Sequence, residues 1–285
     1  NAGITNNSGI GMTAVGYASL RVSTGTNNTA IGSSTGYSLT TGGYNTIMGY
    51  QAMYSGLTIS NSVALGLQAL WSSTAAVNVT AVGSRALYSS TTASQHTALG
   101  SDAGFNLLTG TKSTFIGTSA GKYLENGVTS LTAATDSIYL GGDARAKLNN
   151  AVNEIVIGSR AIGNGNNTTT IGTPSTLEAY IYGSLKLSGG ISESVQFVNV
   201  TPYTLTTTNS ILLADPATAN ITLTLPSSSA NVGKRYTIVR STAGANTVTV
   251  AAAGGNTIAG SATQVLTDPY QTLVIVSIGN NWAVL

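Results

Sequence analysis

The chain of 285 residues lacks cysteine, has a single histidine, and carries charge on only 7% of its residues. Soluble proteins average roughly 25% charged residues. Without cysteine there is no disulfide bond or thiolate metal site, and one histidine alone does not make a zinc site. We therefore expect no metal site and no cofactor.

Three further absences limit the partners. No run of about 18 apolar residues is present, so we predict no membrane insertion. The net charge is only +2, without a cluster of lysine and arginine, so we predict no nucleic-acid partner. The first residues, NAGITNNSG, lack a signal-peptide pattern and are typical of the interior of a longer protein.

What the chain does have is a repeat of about 17 residues that closes on a glycine. Successive repeat glycines are 16 or 17 residues apart through the first seven copies, and then 24, 17 and 14. The longer interval reflects an insertion within LENGVTSLTAATDS. A short fixed period predicts a solenoid in which each repeat forms one coil. The repeat glycines are Gly16, Gly32, Gly49, Gly66, Gly83, Gly100, Gly117, Gly141, Gly158 and Gly172.

Positions in a coil are numbered here from its repeat glycine. The −3 and −1 columns are rich in β-branched and aliphatic residues, which favours strands. Because the two columns are two residues apart, their side chains face the same side of a strand. We predict an all-β parallel β-roll or β-solenoid, with two short strands in each coil and with this stripe, threonines included, buried. The −3 column is Thr13, Thr29, Thr46, Val63, Thr80, Thr97, Thr114, Ile138, Ile155 and Thr169. The −1 column is Val15, Ile31, Met48, Leu65, Val82, Leu99, Ile116, Leu140, Ile157 and Ile171.

The apolar content of a coil bears on the oligomeric state. Each coil offers only about four sizeable apolar side chains, too few to cover both of its sides. Symmetric association is the usual way for such a chain to bury an apolar face. We predict a homotrimer in which three copies share this face. Within each chain, we predict that Asn28 and Asn45, one period apart, form a hydrogen-bonded ladder between coils.

At this point the repeat resembles a known architecture. NNTAIG (27–32), NSVALG (61–66) and NEIVIG (153–158) are similar to the head repeat of trimeric autotransporter adhesins, a family that packs three left-handed parallel β-rolls side by side. YNTIMGYQAMYS (44–55) resembles repeats in tailed-phage fibres. The resemblance covers residues 1–172. The adhesins' membrane anchor is absent, which favours the fibre.

Beyond residue 172 the period is lost. Residues 173–190 are predicted to form a neck that ends in Ser-Gly-Gly, and residues 191–285 a tip domain. The stretches VQFVNVTPYTLT, ITLTLP, RYTIVR, NTVTVAA, QTLVIVSI and NWAVL alternate with turn signals, which predicts an antiparallel β-sandwich. This part is similar to small tip domains of phage tail fibres.

Catalytic patterns are few, and we expect no enzyme. Ser34 and Ser119 each stand in a G-x-S-x-G string, but both occupy the +2 column, which elsewhere carries Gln, Arg and Asp and is predicted to be a turn. His96 is expected to be a polar member of a ladder. Glu125, Asp136 and Asp143 gather around the insertion, and a polysaccharide depolymerase would need two such carboxylates in one cleft.

Aromatic residues supply the candidate binding positions. Five of them fall in the +5 column, one period apart, where they predict a stack that either packs the rod or binds sugar rings; packing is the favoured interpretation. Arg21 and Lys122 take the same column at its two ends. In the tip, Tyr203, Tyr270 and Trp282 lie in or beside predicted loops, and for Trp282 burial of the ring in the sheet is the favoured interpretation. The five are Tyr37, Tyr54, Trp71, Tyr88 and Phe105.

These patterns favour a structural and receptor-binding protein of the virion: the distal part of a trimeric phage tail fibre, joined at its N-terminus to the rest of the fibre or tail. Its expected partner is a carbohydrate or outer-surface protein of a bacterium. The alternatives are a trimeric adhesin head at the bacterial cell surface and, with less support, a depolymerase. Ice binding by the threonine-rich face ranks last, because those threonines are expected to be buried.

Overall fold

The computed structural model describes residues 9–92, 94–175, 193 and 195–285. The protein is essentially all-β, with about 1% of residues in helix and 33% in strands. It divides into two compact units, residues 1–180 and 181–285. Most of the predicted neck, residues 176–190, lies outside the described residues.

A ten-stranded parallel sheet dominates the first unit, with one three-residue strand from each repeat. Its strands follow one another in chain order, as predicted for a solenoid. They are β1 (Thr13–Val15), β2 (Thr29–Ile31), β3 (Thr46–Met48), β4 (Val63–Leu65), β5 (Thr80–Val82), β6 (Thr97–Leu99), β8 (Thr114–Ile116), β10 (Ile138–Leu140), β12 (Ile155–Ile157) and β13 (Thr169–Ile171).

The expected second strand of each coil is regular only in the later coils. There β7 (Thr109–Thr111), β9 (Ala133–Thr135) and β11 (Ala151–Val152) form a parallel sheet of three. Earlier coils approach one another on this side through single bridges, such as Ser60 to Val77. The prediction of two strands per coil is therefore wrong for most of the unit, because turns rather than extended backbone connect the successive strands of the main sheet.

The repeat columns are columns in space. Thr80 pairs with Thr97 and Val82 with Leu99, and the same register relates every neighbouring pair of strands in the main sheet. Each coil therefore places equivalent side chains directly over those of the preceding coil. Turns at the −5 and +2 positions bend the coil, and they are left-handed in every coil except at +2 of the last, which is Pro174; Asn61 at −5 has φ 54°.

The interior of the first unit is lined by the −2 column, which lies between the two columns of the predicted stripe. Alternate residues of a strand face opposite ways, and the −2 residue, such as Ala64 or Ala81, points inward and is fully buried. The −3 and −1 side chains point outward instead: Thr46 and Met48 are exposed, and Thr80 and Val82 are half-buried. The expectation that the stripe and its threonines are buried is wrong for the chain by itself, since the inward-facing turns place the core on the other side of the strand.

The second unit has two sheets, as a sandwich requires. A five-stranded sheet has the order β14-β16-β18-β21-β22, and a four-stranded sheet the order β15-β17-β19-β20. The strands are β14 (Val195–Val198), β15 (Tyr203–Thr204), β16 (Ile211–Ala214), β17 (Ile221–Thr224), β18 (Arg235–Arg240), β19 (Val248–Ala251), β20 (Thr263–Leu266), β21 (Thr272–Ser277) and β22 (Trp282–Val284), with a 3₁₀ turn at Ser229–Asn231.

The antiparallel sandwich is a wrong prediction for the first six of these strands. Consecutive strands from β14 to β19 alternate between the two sheets, so neighbours within a sheet are one full coil apart and run parallel. Only the pairings of β20, β21 and β22 are antiparallel. Apolar residues of both sheets, among them Leu212, Leu223 and Ile238, form one buried core.

Candidate functional site

The outer face of the ten-stranded sheet is the largest regular surface of the first unit. It consists of the −3 and −1 columns, which contain threonine and aliphatic residues and no charged residue. Several members are unusually open for their size: Val15 is 54% exposed, Leu99 48% and Ile171 70%. An uncharged face with exposed aliphatic side chains in successive coils is typical of an interaction surface.

The five aromatic residues of the +5 column form a continuous stack. Tyr37, Tyr54, Trp71, Tyr88 and Phe105 lie with ring centroids 4.9, 5.9, 5.1 and 5.0 Å apart and with interplanar angles of 4–11°. The predicted column is thus confirmed as a stack. Because each ring covers the faces of its neighbours, only ring edges meet solvent. The geometry favours packing between coils over sugar binding on the ring faces.

Cations close the two ends of the aromatic stack. The guanidinium of Arg21 lies 4.9 Å from the centroid of Tyr37, and the ammonium of Lys122 lies 4.9 Å from that of Phe105. Lys122 also pairs with Asp102 at 2.8 Å. Burial lowers the pKa of Lys122, but the hydrogen bond and charge of Asp102 outweigh it and leave the pKa raised. A cation–π contact therefore caps each end of the stack, with Arg21 on Tyr37 and Lys122 on Phe105.

Substitution of Trp71 tests the packing role of the stack. Trp71→Ala removes the middle ring, so Tyr54 and Tyr88 each lose one of their two stacking partners. We expect a loss of about 2 kcal/mol in the free energy of unfolding, below the full cost for a core Trp because Trp71 is half-buried. Trp71→Tyr keeps a ring in the column and should cost less than about 1 kcal/mol. Urea unfolding measures both; equal losses for the two variants would contradict a packing role.

A buried polar ladder runs through the −4 column. Asn45 donates its backbone N–H and its side-chain amide to Oδ1 of Asn28, both at 3.0 Å, and Ser62 donates its backbone N–H to Oδ1 of Asn45 at 3.0 Å. His96 belongs to the same ladder, because the Ser113 N–H donates to its Nδ1 at 3.0 Å. Both predictions, the asparagine ladder and the ladder position of His96, are confirmed. A histidine held this way is a structural residue.

The single histidine should make the rod sensitive to acid. Burial lowers the pKa of His96 below its ordinary value of 6.5. The unfolded chain therefore binds a proton that the folded chain does not, so the contribution to stability is present above pH 6.5 and is lost as the pH falls below it. We expect the urea midpoint to fall between pH 7.5 and pH 5.5. His96→Asn supplies the residue found at Asn28 and Asn45, and its urea midpoint should fall less over the same pH range. If the variant and the unmodified chain show the same pH dependence, His96 is not its source.

The residues considered for catalysis lie in turns or form ion pairs. Ser34 and Ser119 lie in left-handed turns with φ of 57° and 58°, without the strand-to-helix turn of a nucleophile elbow. Around the insertion, Asp143 forms an ion pair with Arg145, and Glu125 forms one with Lys147. Carboxylates neutralised in this way do not supply the opposed acid and nucleophile of a glycoside hydrolase.

The three aromatic residues predicted for the tip differ in exposure. Trp282 lies on β22 and is 1% exposed, with its ring 5.5 Å from that of Tyr236, so it belongs to the core. Tyr203 lies on β15 and packs partly against the same core. Tyr270 is 68% exposed in the turn between β20 and β21. Of the three, Tyr270 alone is available to a partner in the described residues of this unit.

Two exposed features were not predicted. Phe197 on the edge strand β14 is 73% exposed. In the first unit, an open groove of about 470 Å³ is lined by Thr118, Ser119, Tyr123, Gly142, Asp143, Ser159 and Arg160. It lies beside the insertion, whose hairpin is closed by a bridge between Tyr123 and Ser130.

Comparison with known proteins finds no matching family model, no matching characterised sequence and no matching solved structure. Within the described ranges, no helix is both long and apolar enough to cross a membrane. The same ranges bring together no group of three acidic or histidine side chains that could hold a metal ion. The functional conclusion therefore rests on the geometry of the molecule itself.

Proposed function

We propose that this chain is the distal part of a homotrimeric attachment fibre, in the manner of a phage tail fibre. It binds a carbohydrate or protein of the bacterial surface and catalyses no reaction. The observation that carries the proposal is the outer face of the ten-stranded sheet. The face is long and without charge, and its −1 column exposes aliphatic side chains, from which a protein that functions alone in water gains nothing.

Two further copies of the same chain are the occupants that fit this face. Its −3 and −1 columns repeat at every coil, so an identical face offers complementary apolar rows along the whole length. No charge has to be desolvated in the contact. The resemblance of the repeat to trimeric adhesin heads supports three copies rather than two.

A stack of coils suits an attachment fibre because its length grows with each repeat. Strands of neighbouring coils lie about 4.8 Å apart, so ten of them give a rod on the order of 50 Å long. Binding sites repeated on three chains act together, so each individual contact can be weak. In the second unit, exposed Tyr270 is the candidate for direct contact with a receptor.

One alternative has an observation in its favour. The threonines of the −3 column, such as Thr46 and Thr97, are exposed in the single chain, which removes the original objection to ice binding. Val63, Ile138 and Ile155 interrupt the row, and a trimer would cover it. Thermal hysteresis of the chain in solution tests this alternative, and its absence supports the shared face.

Attachment is tested with the labelled chain and a panel of Gram-negative and Gram-positive cells. We expect saturable binding to some strains, sensitive to periodate or protease treatment of the cells, and weaker binding by Tyr270→Ala. Surface polysaccharide incubated with the chain should keep its length. Release of reducing ends would instead indicate a depolymerase, and binding to host-tissue proteins rather than to bacteria would favour an adhesin head.

A further inference from the structure

The groove beside the insertion exists because one coil lacks a side chain. The +1 column carries Tyr50, Leu67 and Thr118 in three of the other coils, whereas its member in the coil of β10 is Gly142. A Cβ at Gly142 would have its nearest neighbours at 3.8 and 3.9 Å, and the φ angle there is not left-handed. Neither backbone strain nor crowding calls for glycine, so its effect is the open space that it leaves.

The walls of the groove present chemistry suited to a sugar. Tyr123 offers a half-buried ring, and Thr118, Ser119 and Ser159 offer hydroxyl groups that donate and accept hydrogen bonds. The ring of Tyr123 is held in place by the ammonium of Lys122, 5.2 Å from its centroid. Unlike the rings of the aromatic stack, it has no second ring within contact distance in the described part of the chain.

The charge of the groove is positive. Asp143 is neutralised by Arg145, whose Nε donates to Asp143 Oδ1 at 3.1 Å, and this hydrogen bond raises the pKa of Arg145. Arg160 is the +2 residue of the next coil after that of Asp143; it is exposed and has no ion-pair partner within the described ranges. An exposed guanidinium without an ion-pair partner can bind a carboxylate or phosphate group through two parallel hydrogen bonds.

We infer that this groove binds an acidic saccharide, with the acidic group on Arg160 and a sugar ring against Tyr123. The inference rests on the proposed attachment function and places a glycan site in the first unit, in addition to Tyr270 of the second. At about 470 Å³ the groove accommodates one or two sugar rings. A trimer carries three such grooves, so a polymeric surface glycan can engage several at once.

The test is a calorimetric titration of the full chain with tri-galacturonic acid, its methyl ester being the uncharged comparison. We expect the acid to bind and the ester to bind at least about tenfold more weakly, since a charge-assisted hydrogen bond is lost. Arg160→Gln should weaken binding of the acid by a similar factor and leave binding of the ester unchanged. Glutamine is the residue that Gln51 and Gln68 already place in this column with the same left-handed backbone, so the variant should fold normally.

A second pair of variants tests the groove itself. Gly142→Leu, which supplies the side chain found at Leu67, should abolish binding of the acid. The same substitution in a coil outside the groove, Ser84→Leu, should leave binding unchanged. The inference is overturned if the unmodified chain binds acid and ester equally or binds neither, or if Gly142→Leu binds as the control does. Trimer formation and cell attachment are unaffected by those results, so the failure of this inference is distinguishable from failure of the proposed function.

Discussion

Two acidic substitutions on the outer face are expected to convert the proposed trimer into single chains. In Met48→Glu/Leu99→Glu, both side chains lie on the −1 column, three coils apart, and are 46% and 48% exposed in the single chain. The chain can therefore fold with either residue. In the trimer each carboxylate would be buried against apolar neighbours without a partner, at a cost of several kcal/mol. Sedimentation velocity should show a species near the chain mass of 28.7 kDa.

The matched control places the same substitutions away from this face. Leu57 and Val77 are 44% and 41% exposed and lie outside the ten-stranded sheet. Leu57→Glu/Val77→Glu should sediment as the unmodified chain does. If both double variants remain trimeric, the outer face is not the shared surface; if both dissociate, the effect is one of general charge.

Gly83→Ala is expected to cause a large loss of stability in the first unit. Gly83 has φ 133°, which side-chain-bearing residues rarely adopt, and a Cβ there would lie 2.6 Å from the carbonyl carbon of Gly100 in the next coil. Strain and backbone clash together should cost at least about 3 kcal/mol, because backbone of adjacent coils would have to separate.

Gly142→Ala is the control for this prediction, since its φ is ordinary and its Cβ would have no neighbour nearer than 3.8 Å. Thermal unfolding followed by circular dichroism compares the two variants. We expect the transition of Gly142→Ala to coincide with that of the unmodified chain and that of Gly83→Ala to lie far below it. Similar transitions would mean that contact between coils at the repeat glycine does not hold the rod together.

The features that the sequence predicted correctly are those that repeat. The period of the repeat glycines places equivalent residues one above another, so the stack from Tyr37 to Phe105 and the ladder from Asn28 to Asn45 follow from spacing alone. The ladder position of His96 follows in the same way. No knowledge of the coil's cross-section is needed for these predictions.

The predictions that failed required knowledge of which side of a strand is inside. A three-residue strand such as Val63–Leu65 has two apolar residues on one face and one alanine on the other, and hydrophobicity favoured the wrong face. The turns at the −5 and +2 positions determine the inner side, and their effect depends on the whole coil. The small, fully buried −2 residues, such as Ala81 and Ala98, were the available signal.

Strand pairing in the second unit and the groove were missed for different reasons. Alternating strands and turns, such as those at β16 and β17, are equally compatible with hairpins and with coils, because the sequence does not state which strands pair. The groove depends on a missing side chain. Gly142 interrupts a column of larger residues, a departure from the repeat that could have been noticed beforehand.

The central claim is that three copies of this chain share the outer face of the ten-stranded sheet. Light scattering at micromolar concentration, with and without SDS at room temperature, tests it most directly. The account predicts a mass of three chains of 28.7 kDa that persists in SDS, as expected for a face buried along ten coils. A single chain of 28.7 kDa in buffer without detergent would contradict it.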